Sequence, residues 1–211
     1  MPDRDGFGPD QILEQCDVSR ETIESIIKVI DELDGWRKKI NLLGPAEYEQ
    51  VWRRHVLDSI QLLPLIPQDS VTVDLGSGSG FPALVLAAGL IHEDAGIVMI
   101  ETVGKKCAFL RAAASAANLP AIVRQGRVEN VKDVHAACVT ARAFAPLPKL
   151  LEYSKKWFDQ GAYGIFPKGR RWEEELTQAK ESWRFAYEVI PSISGGDGVI
   201  LKIWEVSRVR P

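Results

Sequence analysis

The sequence predicts an α/β fold in which a mostly parallel seven-stranded sheet ends in an antiparallel hairpin and follows a helical extension. Three observations carry this prediction. Short apolar strands alternate with helical stretches over residues 71–157, an order typical of parallel strands joined by right-handed crossovers. Two β-rich runs flank the glycine-rich segment 194–198, which indicates a hairpin. Residues 19–63 carry apolar side chains at helical spacing, which predicts helices ahead of the first strand.

The N-terminal extension is predicted to hold two helices. Ser19 can cap the first, which spans 19–40 with isoleucines at helical spacing, although Gly35 is a weak helix former. Pro45 and Pro64 bound the second, at 46–63. Residues 1–18 have the composition of a loose acidic tail.

The later elements follow from the same patterns. Strands are predicted at 71–75, 96–101, 121–124, 137–140, 163–167, 187–193 and 199–206, and helices at 82–89, 105–118, 147–157 and 173–182. We therefore divide the chain into a flexible acidic tail (1–18), a helical extension (19–66) and a main domain (67–211), the last two forming one compact unit.

Composition excludes several classes of protein. Of the 211 residues, 45% are hydrophobic and 26% are charged, which is globular usage. No stretch approaches the roughly 20 apolar residues that span a bilayer, and the acidic start does not resemble a signal peptide. The three cysteines lie far apart with no C-x-x-C pair. We therefore expect a cytoplasmic protein with no disulfide framework, no metal and no membrane segment.

Charge is distributed unevenly along the chain. The net charge is −3, yet residues 1–35 hold ten acids and three bases and sum to −7, which leaves +4 for the remainder. Such an asymmetry favours a polyanionic partner, although weakly.

The most informative segment is the turn after the first main-domain strand. Asp74 ends that strand and is followed by Gly76, Ser77, Gly78 and Gly80, so the backbone can approach a ligand closely. The spacing is neither the dinucleotide G-x-G-x-x-G nor a P-loop. Glu101 ends the next strand, where a carboxylate can accept hydrogen bonds from ribose hydroxyls. This combination favours S-adenosylmethionine over a dinucleotide or a ligand-free turn.

Several separated blocks then indicate a family. They are Asn41-Leu42, RHVLDS at 54–59, DLGSGSGFP at 74–82, IETVGKKCAFL at 100–110, GRVE at 126–129, ARAFAPL at 141–147 and PKG at 167–169. With these blocks in this order, the chain resembles the glucose-inhibited division protein B family, the small-subunit ribosomal RNA methyltransferases G, over nearly its whole length. The resemblance implies a Rossmann-like class I S-adenosylmethionine-dependent methyltransferase whose product is N7-methylguanosine in the 530 loop of 16S ribosomal RNA.

The resemblance also implies roles for individual residues. Gly76 and Phe81 match loop positions that touch the cofactor, and Val128 and Glu129 match the pair around its adenine. Arg142 matches an arginine beside the cofactor and the target base, and we predict it to be catalytic. Its partner is left open between the guanine O6 edge, a phosphate and the cofactor carboxylate, with a structural ion pair as the alternative.

The predicted chemistry needs no general base. Guanine N7 is an unprotonated lone pair exposed in the major groove, so the enzyme mainly has to position its substrates. Phe144 can stack on a base or pack in the core. His55 and Asp58 share a helix face and lie either at the cofactor mouth or in a structural pair.

Basic residues after the fifth strand, Lys168, Arg170 and Arg171, are predicted to contact phosphate. We expect a monomer that acts on 16S ribosomal RNA or on an assembly intermediate of the small subunit. Two alternatives remain: a methyltransferase for another substrate, and a non-catalytic cofactor-binding module of ribosome assembly.

Overall fold

A computed structural model describes residues 3–90, 92 and 94–209. The N-terminal part is helical. It comprises α1 (Pro9–Gln15), α2 (Arg20–Arg37), α3 (Pro45–Tyr48), a π-helical segment (Trp52–Leu57), α4 (Asp58–Ile60) and a 3₁₀ turn (Leu63–Leu65). Ser19 caps α2 as predicted, since its side chain accepts a hydrogen bond from the Thr22 N–H at 3.1 Å.

The main domain alternates strands and helices before it ends in a hairpin. In chain order the elements are β1 (Val71–Leu75), α5 (Ala83–Ala88), β2 (Gly96–Glu101), α6 (Gly104–Ala116), β3 (Ala121–Gln125), β4 (Cys138–Thr140), α7 (Leu147–Phe158), β5 (Tyr163–Lys168), α8 (Trp172–Ser182), β6 (Trp183–Pro191) and β7 (Val199–Arg208). The strand order is β3-β2-β1-β4-β5-β7-β6. Strands β1 to β5 are parallel, and β7 is antiparallel to both β5 and β6. The predicted sheet is confirmed.

This topology locates the site. The chain runs outward from β1 to β3, then returns so that β4 pairs with β1 on its other side. Ligands of such sheets bind at the carboxyl ends of the strands, where the order reverses. The glycine-rich turn follows β1, Glu101 ends β2 and Arg142 follows β4, so all three lie at this edge.

The extension packs on the sheet through a shared hydrophobic core. Ile26 and Leu33 of α2 belong to the same buried cluster as Leu84 of α5 and Phe109 of α6. Burying this apolar stripe is the main force that holds the extension in place. No helix in residues 3–90, 92 and 94–209 is long and apolar enough to cross a membrane.

The structure differs from the prediction of a loose tail. Residues 1 and 2 lie outside the described residues, but the following segment packs on the extension. The Asp3 carboxylate accepts hydrogen bonds from the Trp52 and Arg53 N–H groups at 2.9 and 2.8 Å, and Phe7 is buried under the Arg53 guanidinium. An acidic side chain at exposed N–H groups of a helical start is a favourable cap, which composition alone did not reveal.

The predicted helix at 46–63 is also not continuous. The chain forms α3, then the π-helical segment, α4 and the 3₁₀ turn. Side chains bind two carbonyl oxygens of the π-helical segment: Arg142 donates to the Arg54 carbonyl, and the Ser59 hydroxyl donates to the His55 carbonyl at 2.6 Å. π-helical turns are frequent at functional sites, and here the turn brings His55 and Asp58 to Arg142. Smaller differences are that α2 ends at Arg37 and that β6 begins at Trp183, directly after α8.

Candidate active site

The glycine-rich turn is shaped by backbone conformations that favour glycine. Gly76, Gly78 and Gly80 have φ of +66°, +52° and +86°, in the left-handed region that other residues enter at a cost. A Cβ at Gly76 would lie 2.2 Å from Cδ2 of Phe144. Glycine at this position therefore lets the turn lie against the Phe144 ring.

Glu101 fixes the turn from the end of β2. One carboxylate oxygen accepts a hydrogen bond from the Gly78 N–H at 3.0 Å, and the other accepts one from the Val103 N–H at 2.8 Å. The Thr102 hydroxyl also donates to the second oxygen at 3.3 Å. A carboxylate has about four acceptor positions, so Glu101 can still accept a hydrogen bond from a ligand's hydroxyl group.

Asp74 lies beneath the turn and is 1% exposed. One of its oxygens accepts a hydrogen bond from the Thr140 hydroxyl at 2.7 Å, whereas Oδ2 has no partner within the described residues. Burial raises the pKa of Asp74 to about 6. A buried acceptor without a donor is costly, and an ammonium group bound above the turn would supply the missing donor. The Ser77 hydroxyl donates to the Asp74 carbonyl and tightens the same bend.

A cleft of about 810 Å³ opens beside the turn, and we call it the donor cleft. Five of the positions predicted to bind the cofactor line it: Gly76, Gly78, Glu101, Val128 and Glu129. Its size is ordinary for a small-molecule site. The volume, the ribose-type acceptor Glu101 and the unpaired oxygen of Asp74 all fit S-adenosylmethionine.

Other predicted cofactor positions lie outside the lining of this cleft. Ser77 and Asp74 support the turn from below, and Gly80 packs on Leu84. Phe81 is buried, with the His55 ring stacked on it at a centroid distance of 5.1 Å. Gly80 and Phe81 therefore shape the site through packing.

Arg142 follows β4 and is held on several sides. Its Nη1 donates to the Arg54 carbonyl at 3.1 Å and to the Asp58 carboxylate at 3.2 Å, and its Nη2 donates to Nδ1 of His55. The side chains of Arg142 and Asp58 are only 17% and 18% exposed. Burial lowers the pKa of Arg142, while the Asp58 carboxylate opposes that shift.

His55 is neutral in this arrangement. Burial lowers the pKa of His55 to about 3, and the Arg142 and Arg54 cations act in the same direction. Because arginine is only a donor, Nδ1 of His55 accepts and the ring proton lies on Nε2. Nε2 is buried and has no partner among the described residues.

A second cleft, of about 670 Å³, is lined by residues 142–146, which follow β4, and we call it the acceptor cleft. Arg142, His55 and Asp58 line it, together with residues of the β6–β7 turn. Ala143 and Phe144 line both clefts. Ala143 has φ +52°, and this turn of the backbone places Phe144 over Gly76. The two clefts therefore adjoin at Ala143 and Phe144, which form a shared wall.

The three basic residues predicted to contact phosphate have different environments. Lys168 lines the acceptor cleft, but its ammonium donates to Glu175 at 2.8 Å and to the Ala145 carbonyl at 3.1 Å, and its side chain is only 8% exposed. This lysine ties the loops after β4 and β5 together because a buried cation needs such partners. Arg170 is 86% exposed and paired with Asp197, and Arg171 is exposed.

Sequence reasoning missed several residues of the acceptor cleft. Arg54 lines it without an ion-pair partner in the described part of the chain, and its signals in the sequence were the block RHVLDS and the basic run 53–55. Ser192 and Ser194 of the β6–β7 turn also line the cleft. They contact Gln61 and Asp58, which lie more than 130 positions earlier in the chain. No three metal-ligating side chains gather anywhere in residues 3–90, 92 and 94–209.

Comparison with known proteins agrees with this geometry. The family model of rRNA small subunit methyltransferase G (GidB) matches residues 22–200. Ribosomal RNA small subunit methyltransferase G of Hyphomonas neptunium is 60% identical over 194 residues, covering 91% of this chain and 92% of its own. The protein of the same name from Paramagnetospirillum magneticum is 41% identical, with 97% and 98% coverage.

Solved structures show the fold. An O-methyltransferase from Bacillus cereus in complex with SAH superposes with a TM-score of 0.58 at 14% identity, covering 93% of this chain and 96% of that one. The match to the family model over most of the length and the identity to the curated relatives lead to one conclusion. The chain belongs to the rRNA small subunit methyltransferase G family.

Proposed function

We propose that the chain methylates N7 of guanine 527, in the 530 loop of 16S ribosomal RNA, with S-adenosylmethionine as the methyl donor. Family membership makes it an S-adenosylmethionine-dependent methyltransferase of small-subunit ribosomal RNA. The observation that carries the finer proposal is the wall of Ala143 and Phe144 shared by the two clefts. We infer that a donor in one cleft and an acceptor in the other meet at the edge of this wall.

The donor cleft offers a partner for each part of the cofactor. Val128 and Glu129 would flank the adenine, Glu101 would accept from the ribose hydroxyls, and Asp74 with the Gly76–Gly78 backbone would hold the amino-acid end. S-adenosylmethionine supplies, when bound, a methyl group made electrophilic by its sulfonium. The chain's own residues must then exclude water and hold the acceptor in line.

We infer that the reaction requires no general base, because guanine N7 is an unprotonated lone pair. The N7 lone pair attacks carbon directly, and guanine becomes cationic as the bond to sulfur breaks. The only imidazole lining this cleft is His55, which donates no proton into it: Nδ1 is occupied by Arg142 and Nε2–H is buried. Arg142 lines this cleft, so we assign it to the RNA, at O6 or a phosphate.

Phe144 gives the wall an aromatic edge that can stack on a base flipped out of a loop. The Phe144 ring also lies 5.4 Å from the ring of Tyr153, centroid to centroid. This contact supports Phe144 from the donor side, since Tyr153 lines the donor cleft.

Exposed cations surround the mouth of the acceptor cleft. Arg54 and Gly169 line it, and Arg170 and Arg171 follow at once in the chain. We propose that Arg54, Arg170 and Arg171 contact phosphates. We place the enzyme in the cytoplasm, with small-subunit assembly intermediates, and expect it to act as a monomer.

The test is transfer of radiolabelled methyl to four acceptors from cells that lack the protein: small subunits, naked 16S RNA, large subunits and total protein. Digestion of labelled RNA to nucleosides should release the label as N7-methylguanosine, from the small-subunit acceptors alone. Label in protein, in large subunits or in another nucleoside would refute the proposal. Binding of S-adenosylhomocysteine without transfer to any acceptor would favour the non-catalytic assembly module.

A further inference from the structure

The carboxylate of Asp58 joins three parts of the chain at the acceptor cleft. Oδ2 accepts a hydrogen bond from Nη1 of Arg142 at 3.2 Å. Oδ1 accepts from the Ser194 hydroxyl at 2.8 Å and from Nε2 of Gln61 at 2.9 Å. Arg142 follows β4, Gln61 follows α4, and Ser194 lies in the β6–β7 turn. We propose that Asp58 is a positioning residue that fixes Arg142 and the β6–β7 turn relative to each other.

Only a carboxylate suits this position. Three donors converge on two oxygens, and a carboxylate has about four acceptor positions and no donor. Asparagine has nearly the same shape, but its NH2 group would face the N–H groups of Arg142 or of Gln61, which cannot accept. Replacing Asp58 by asparagine should therefore break the Arg142 contact or the Gln61 contact without removing volume.

The consequence for Arg142 follows from counting its donors. A guanidinium has five N–H groups, and within the described residues three are engaged, two on Nη1 and one on Nη2. The N–H on Nε and one N–H on Nη2 remain. Two donors on one guanidinium suit a two-oxygen or O6-type acceptor, and Asp58 together with His55 keeps them in a fixed direction.

The β6–β7 turn is the second element that Asp58 holds. Gln61 adds to this contact, since its Nε2 lies 3.0 Å from the Ser192 hydroxyl and its Oε1 accepts from the Ile193 N–H at 2.9 Å. Ser192, Ser194 and Gly195 line the acceptor cleft opposite Arg142. The same carboxylate therefore sets the width of the cleft between Arg142 and the turn.

The kinetic test of this inference rests on the proposed function. It compares kcat and KM for RNA in three variants. Asp58→Asn should lower kcat with small-subunit RNA by about 100-fold, the size expected when a buried charge pair loses a partner. Ser194→Ala releases only the turn, so KM for RNA should rise about fivefold with kcat unchanged. The control Glu49→Gln removes an exposed carboxylate of the same extension that pairs with Arg4, and neither constant should change.

Two further readouts separate positioning from general damage to the fold. S-adenosylhomocysteine affinity should stay within about twofold in all three variants, because Asp58 does not line the donor cleft. In the NMR spectrum, hindered rotation of the wild-type Arg142 guanidinium should give separate Nη1 and Nη2 signals, and Asp58→Asn should merge them.

The NMR readout needs no turnover, so it tests the inference even if the wild type methylates no RNA, a result that would refute only the proposed function. Unchanged kcat in Asp58→Asn beside an active wild type, or unchanged Arg142 signals, would overturn the positioning role. A matching loss of S-adenosylhomocysteine binding would do the same. Should Asp58→Asn fail to fold, a wild-type KM in Ser194→Ala would overturn the role in holding the turn.

Discussion

Replacing Gly76 by alanine tests whether the donor turn and the Phe144 wall are built against each other. Gly76 has φ +66°, and an added Cβ would lie 2.2 Å from Cδ2 and 2.9 Å from Cε2 of Phe144. The aromatic ring is rigid and rests on Tyr153. The new methyl group must therefore push the ring away from the edge shared by the two clefts.

The magnitude can be worked out with a matched control. Gly78 also has a left-handed φ, of +52°, but its added Cβ would meet nothing closer than the Gly76 carbonyl oxygen at 3.6 Å. Both alanine variants pay about 1–2 kcal/mol for the left-handed conformation. Gly76→Ala adds an overpacking cost of about 1–3 kcal/mol. We expect it to lose about 2–5 kcal/mol of unfolding free energy, against about 1–2 kcal/mol for Gly78→Ala.

Urea denaturation of both variants measures the difference, and calorimetric titration with S-adenosylhomocysteine measures the effect on the donor cleft. A double variant, Gly76→Ala with Phe144→Ala, should recover about 1–3 kcal/mol relative to additivity, because the clash is removed. Equal destabilisation of Gly76→Ala and Gly78→Ala, or a strictly additive double variant, would refute the proposed contact.

Four further predictions concern buried and exposed charges. Burial raises the pKa of Asp74 to about 6 from 3.8. Its contribution to the free energy of unfolding should therefore fall by about 3 kcal/mol as the pH rises from about 4 to 6. Urea denaturation at several pH values should show this fall in the wild type but not in Asp74→Asn. The pKa of His55 is lowered to about 3, so its ring NMR signals should not titrate between about pH 5 and 8. Its contribution to the free energy of unfolding is lost only as the pH falls from about 6.5 towards 3. An NMR titration midpoint near 6.5 would contradict its burial. Lys168→Met leaves Glu175 without its cation and should cost about 1–3 kcal/mol of unfolding free energy, measured in urea. Arg171→Ala should leave stability unchanged but reduce the salt slope of RNA binding by about 1, and an unchanged slope would place Arg171 away from RNA.

Local patterns predicted the elements that local chemistry determines. The strand into Asp74, the glycines after it and the acid that ends β2 could be identified because strand, turn and ligand-binding preferences act over a few residues. The hairpin was likewise predicted, although β6 begins at Trp183 rather than four residues later. Nothing in the sequence signals this earlier start of β6, because α8 ends at Ser182 and β6 begins at the next residue without a loop between them.

Long-range polar contacts could not be predicted in this way. Asp58 meets Ser194 across 136 positions and Arg142 across 84, and no periodicity links such residues. The same reason explains the N-terminal segment, whose Asp3 caps N–H groups 49 and 50 positions away. Composition suggested a tail there because the acid's partners were not visible in the local sequence.

Lys168 shows that a basic run can include a side chain already paired within the protein. A basic run after a strand end suggested phosphate contact, but Glu175, seven positions later on α8, pairs with this lysine and buries it. Charge runs in a sequence do not show which members are already neutralised. The exposed neighbours Arg170 and Arg171 are therefore better candidates for RNA contact.

The most direct test is to map the methylated position in 16S ribosomal RNA. Small subunits from cells lacking the protein would be treated with wild-type enzyme or with Arg142→Ala, and the RNA chain would then be cleaved chemically at N7-methylguanosine. We predict a single cleavage at guanine 527 with the wild type. Arg142→Ala should give none, although it should still bind S-adenosylhomocysteine, because Arg142 lies outside the lining of the donor cleft. Cleavage at another position, or undiminished cleavage with Arg142→Ala, would contradict the proposed site.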